Sequence, residues 1–196
     1  MFVKPMILSL SFLASTAVMA HARLKPGSAT PPRNDSTGLK TEECGGAAVP
    51  RGTTPMNYKP GEEITVQWEE TINHPGYFII RFSEADDINF DKHVLVEKFT
   101  DTQNEAIASP TDYHQYAIKV KLPNVKCAAC TLQLIQVMEE NPLAPTKYFS
   151  CSDITLSDVP PPNPAPVPVP TTTPSTKPTT QVKPAKPTGV KVEKAK

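Results

Sequence analysis

Four histidines and four cysteines hold most of the chemistry this chain could perform. His21 stands apart from His74, His93 and His114, because a leader-like segment ends just before it. A cut between Ala20 and His21 would give residue 21 a free amine. Such an amine has a pKa of roughly 7.7–8.0, so its neutral, nitrogen-donating form is easily reached. The amine and the imidazole of one residue can then chelate one metal ion, and a second imidazole completes a T-shaped set of three nitrogens. Nitrogen donors in a tetragonal array suit Cu(II) above other first-row ions, so copper is the expected cofactor. His74 is the best second imidazole, since it lies in a loop directly before the apolar run at 77–82, whose packing would hold it. His93 and His114, in polar surroundings at strand edges, read as structural or solvated.

The cysteines are Cys44, Cys127, Cys130 and Cys151. An even number in a secreted chain argues for two disulfides. Cys127–Cys130 would be a local, turn-closing bridge and Cys44–Cys151 a long-range staple from the N-terminal loops to the last strand. Two other readings compete. A redox Cys-x-x-Cys would want a helix N-terminus in an α/β fold, whereas this one precedes an apolar strand. A four-cysteine zinc site would want a second close pair.

These side chains need a frame, and the sequence supplies a β one. Ile64–Trp68 and 116–122 alternate apolar and polar residues. The runs 77–82, 94–96 with Phe99, 132–138 and 154–156 are short and rich in β formers. Turn signals separate them: Lys59-Pro60-Gly61, His74-Pro75-Gly76, Leu122-Pro123-Asn124 and Asn141-Pro142. The pattern predicts an all-β fold, an immunoglobulin- or fibronectin type III-like antiparallel β-sandwich with long loops. Residues 22–60, rich in Gly, Pro, Thr and Asn, read as loops before the first clear strand. Trp68 alternates with Ile64 and Val66, which places it in the core.

The formal charge of the 196 residues is zero, an average over unlike parts. Residues 1–20 carry Lys4 and an apolar run from Met6 to Leu13, then small residues up to Val18-Met19-Ala20. This is a secretory signal, too short to span a bilayer, and it directs the protein outside the cell or to a periplasm. A second cleavage site, Ala20-His21-Ala22, would instead start the chain at Arg23 and abolish the chelate. Residues 21–158 form one domain, in which 13 basic and 19 acidic residues give −6. That charge disfavours nucleic acid and is compatible with a neutral polymer or a cationic metal. Residues 159–196 carry 11 of the 23 prolines, six lysines and Glu193, without an aromatic residue. Such a tail is expected to be disordered, a solvated spacer or a basic arm for an anionic surface. No other stretch is long and apolar enough for a transmembrane segment, and a monomer is expected.

The domain resembles the lytic polysaccharide monooxygenases, especially their bacterial, chitin-binding type-4-like branch. The landmarks are His21 after the signal, His74 at the end of Trp68-Glu69-Glu70-Thr71-Ile72-Asn73-His74, and the stretch Tyr148-Phe149-Ser150-Cys151-Ser152-Asp153-Ile154. The resemblance spans residues 21 to about 158 and implies the same sandwich. It implies that His21 and His74 form a histidine brace and that Tyr148 is the axial aromatic, with Phe149 packing inward beside it. Cys151 falls where many relatives have a disulfide cysteine. Gln136, or less readily Gln133, would stand near the metal and steer the oxygen species. Ile72 departs from the small residue that many relatives have two positions before the second histidine, and it could crowd the open side. Tyr58 and Tyr77 are candidates for a carbohydrate face.

Three functions follow. The first is oxidative cleavage of chitin, cellulose or a similar polysaccharide, with an external electron donor. The second is a non-catalytic copper-binding or copper-acquisition protein. The third is an adhesive or carbohydrate-binding sandwich without a tight copper site.

Overall fold

A computed structural model describes residues 21–35, 39–40 and 43–165; the expected signal segment and the tail beyond 165 lie outside the described residues. Eight strands form two sheets. Strands β1 (Ala22–Leu24), β3 (Glu63–Glu70) and β6 (His114–Lys121) make the smaller sheet, in the order β1-β3-β6. The larger sheet runs β2 (Met56–Tyr58), β8 (Thr146–Leu156), β7 (Cys127–Met138), β4 (Gly76–Ser83) and β5 (Val94–Thr100). All pairings are antiparallel except β2 with β8, which is parallel. The fold is therefore the expected β-sandwich with one parallel edge pairing. Residues 22–60 depart from the pure-loop expectation. Three-residue β1 and β2 have too few side chains to show a period of two, and their pairing comes from long-range register instead.

Alternation builds the core. Ile64, Val66 and Trp68 of β3 face Phe78, Ile80 and Phe82 of β4 and Cys130, Leu132 and Leu134 of β7, all buried in one cluster. Trp68 is fully buried and stacks on Tyr116 at 5.3 Å between ring centroids. On the outer face of the larger sheet, Ile79, Ile135 and Val137 form a smaller cluster joined by Tyr77 and Phe149. The segment before β2 lies along β8: Phe149 N–H donates to the Leu39 carbonyl at 2.9 Å, and Arg33 N–H to the Cys151 carbonyl. The Arg33 side chain is nearly inaccessible and bonds Asp87, Asp153 and Thr131. Disulfide Cys44–Cys151 fixes this segment to β8, and Cys127–Cys130 closes the start of β7.

Candidate metal centre

One end of the sandwich gathers the polar residues. Extending the inward alternation of β3 by one step beyond Trp68 reaches Glu70. On β6 the inward series Val120, Ile118, Tyr116 ends at His114, paired in register with Glu70. On β7, Cys130, Leu132 and Leu134 are followed by Gln136, which sits opposite Tyr148 of β8. The interior is thus apolar along most of its length and polar at one end.

His21 and His74 meet above this layer. The backbone of His21 is tied by Thr71 N–H, which donates to its carbonyl at 2.9 Å, and Ala22 pairs with Glu70 in the sheet. His74 is placed by Gly76, the first residue of β4. A Cβ there would lie 2.0 Å from the Val137 carbonyl oxygen, so only glycine lets the loop approach β7 so closely. The two imidazole rings stack with centroids 4.5 Å apart, and His21 also stacks on Tyr148 at 3.9 Å. Tyr148 is buried, with the Lys40 ammonium 4.9 Å from its ring centroid. Phe149 does not pack inward beside it. Successive strand residues face opposite ways, and Phe149 joins the outer cluster.

Two nitrogens decide what this arrangement can hold. His21 Nδ1 and His74 Nε2 are buried and have no hydrogen-bond partner. An unsatisfied buried polar atom costs about 1–3 kcal/mol, so two in stacked rings mark a place prepared for a ligand. Burial first, and then the neighbouring His74 and the Lys40 ammonium, push the His21 imidazole down to about 4, so its lone pair is available at neutral pH. The other nitrogen of His74, Nδ1, is engaged by the Glu140 carboxylate. Neutral imidazole nitrogens suit copper, and the donor set fits that metal.

Beneath the pair lies a buried carboxylate. Glu70 accepts hydrogen bonds from Gln136 Nε2 at 2.8 Å, His114 Nδ1 at 2.8 Å and, more weakly, the His74 backbone N–H at 3.3 Å. Tyr116 O–H donates to Asp101, whose charge adds to burial in pushing the Glu70 carboxyl up to about 7. His114 is therefore not at a polar strand edge but buried against Glu70. His93 instead forms an outlying pair with Glu84. Tyr58 is buried, with its hydroxyl on the Ala29 carbonyl, and presents no carbohydrate face. Gln133, the weaker candidate, is buried on the outward-facing series of β7, away from Gln136. Glu70, His114 and Glu140 are absent from the set that sequence reasoning selected. A charged or polar residue falling on the inward phase of an apolar strand was the available signal for the first two.

A family model described as lytic polysaccharide mono-oxygenase, cellulose-degrading, matches residues 20–154. The chain belongs to this family. Its members are copper-dependent enzymes that oxidise polysaccharides with electrons from an external donor. Among solved structures, a lytic polysaccharide monooxygenase from Thermobia domestica in the Cu(I) state is 22% identical, covering 59% of this chain and 75% of that one, with a TM-score of 0.41. The cellulose-active CelS2 in complex with copper is 16% identical, covering 53% of each chain, with a TM-score of 0.38. A monooxygenase from Streptomyces lividans is 12% identical, covering 69% of this chain and 81% of that one, with a TM-score of 0.34. No curated protein matches. Among the described residues, no helix is long and apolar enough to cross a membrane.

Proposed function

We propose that the protein is a secreted monooxygenase in which copper would be held by a histidine brace of the His21 amine, His21 Nδ1 and His74 Nε2, with Tyr148 as the aromatic residue beside it. The observation that carries this reading is the pair of buried, unpartnered nitrogens on stacked rings. Bound copper would supply one-electron chemistry toward oxygen or peroxide at a polysaccharide of the chitin or cellulose type. The chain's own task is to orient and to exclude. Tyr148 covers one side of the His21 ring. Gln136, its amide nitrogen committed to Glu70, keeps a buried carbonyl oxygen without a partner beside the same end of the sandwich.

The brace requires cleavage between Ala20 and His21. The buried Ala22 and Leu24 side chains support that boundary, because a cut after Ala22 would remove His21 and shorten β1. The six lysines of 159–196 would bring the protein to an anionic surface, an attraction that salt weakens. N-terminal sequencing of the secreted protein, followed by copper titration, tests the reading. A chain starting at His21 that binds copper, with His74→Ala losing that binding, supports it; a chain starting at Arg23 sinks it.

A copper carrier is the second reading, favoured by the burial of Tyr58 and Trp68, which leaves only the half-buried Tyr77, itself packed against the outer cluster, of the aromatics considered for a carbohydrate face. Incubating the copper-loaded protein with chitin, cellulose and a reductant separates the two. Oxidised oligosaccharides establish the enzyme; tight copper binding with no such product across a broad panel establishes the carrier.

A further inference from the structure

We infer that Glu140 is a positioning residue of the metal centre: its carboxylate holds His74 Nδ1 and so assigns Nε2 as the metal-binding atom of that ring. The inference rests on the copper reading above. An ionised carboxylate only accepts hydrogen bonds, so the Nδ1 facing Glu140 carries the proton and Nε2 is left with its lone pair free. That free nitrogen is the one found buried and unpartnered.

The contact is part of a clamp between two loops. One residue away, Glu139 N–H donates to the Pro75 carbonyl at 2.8 Å. A backbone bond between residues 75 and 139 thus stands beside a side-chain bond between 74 and 140, and the ring is fixed in both position and tautomer. Glu140 is 43% exposed, so it orders the ring without being part of the hydrophobic core. A carboxylate on the second nitrogen of a metal-bound histidine makes that ligand more basic, and losing such a partner typically lowers metal affinity 10–100-fold.

The test uses the mature chain beginning at His21, with Cu(II) affinity measured by competition titration and the site read by electron paramagnetic resonance. Glu140→Ala should weaken Cu(II) binding about 10–100-fold and shift the copper hyperfine pattern, with the melting temperature of the metal-free protein unchanged. Glu140→Gln, which keeps an accepting oxygen but not the charge, should fall between Glu140→Ala and the parent. Glu139→Gln removes the same charge next door and should match the parent. A Glu140→Ala protein with parental affinity and spectrum overturns the inference and leaves the copper reading intact. Equal losses in Glu139→Gln and Glu140→Gln also overturn it, since bulk charge would then be the cause. A parent protein that binds no copper overturns both.

Discussion

Glu70 has no exposure at all, yet it bonds to residues from three other places in the chain. Breaking a buried pair strands the partner, so Glu70→Ala should cost about 3–5 kcal/mol in urea unfolding, because His114 loses its acceptor. Glu70→Gln, similar in shape and still able to accept, should cost clearly less. A Glu70→Ala protein as stable as the parent would show that Glu70 does not hold this layer together. The two histidines that the structure brings together, His21 and His74, stood out in the sequence by type and place, one beside an expected leader and the other beside a strong strand. Glu70 carries no such signal, because beside Glu69 it has the pattern of a solvated strand end. His114, between Tyr113 and Gln115, reads from sequence as structural or solvated. Both follow the inward phase of their strands, and only the sheet register shows them facing each other. Glu140 had no signal of its own, for a loop carboxylate gains meaning only when a second loop is set against it.

At the level of elements, the loop before β4 is decided by backbone contact. His74-Pro75-Gly76 reads as a turn, but Gly76 is required by the proximity of Val137. Gly76→Ala should destabilise the domain by about 1–3 kcal/mol as an overpacking change and also weaken copper binding, because the displaced loop carries His74. Calorimetry and titration on the same sample check both effects; a loss of stability with unchanged affinity would separate the loop from the metal. Strands β3, β4, β6 and β7 were legible because each alternates or runs apolar for five or more residues, whereas β5 and β8 showed only in part, at 94–96 with Phe99 and at 154–156. β1 and β2 were not legible, since their pairing partners lie 44 or more positions away in the sequence. The segment they flank is held by a covalent link. Replacing Cys44 and Cys151 by serine should cost about 2–5 kcal/mol, whereas opening the three-residue loop of Cys127 and Cys130 should cost much less. Urea midpoints of the two double variants make the comparison, and equal midpoints would rule out the long staple as the main constraint.

For the molecule as a whole, the acidic balance of residues 21–158 is partly neutralised where it is least exposed. Burial alone would raise the Asp87 carboxyl, but hydrogen bonds from Arg33 and Thr131 and the charges of Arg33 and Arg51 outweigh it and hold the group below the usual carboxylate range. A depressed acid binds its proton more weakly folded than unfolded. Its contribution to stability is therefore complete above the ordinary carboxylate pKa of about 3.9 and is lost as the pH falls through the folded value. Stability measured from pH 7 down to 2 should drop steeply at the acid end, and Asp87→Asn should flatten that part of the curve. An unchanged acid limb in the variant would remove Asp87 as its cause.

The chain leaves the sandwich beside β2, where Asn163 accepts from the Asn57 backbone N–H at 2.5 Å. Met56 of β2 is in register with Ile154, six residues along β8 from Tyr148, or about 20 Å at ~3.4 Å per residue. The two ends of the domain are therefore not equivalent for handling the protein. Purification tags, fluorophores or a bead attached after Ala165 would leave the histidine pair unobstructed. On the proposed brace, even a single extra residue retained before His21 would convert the required amine to an amide.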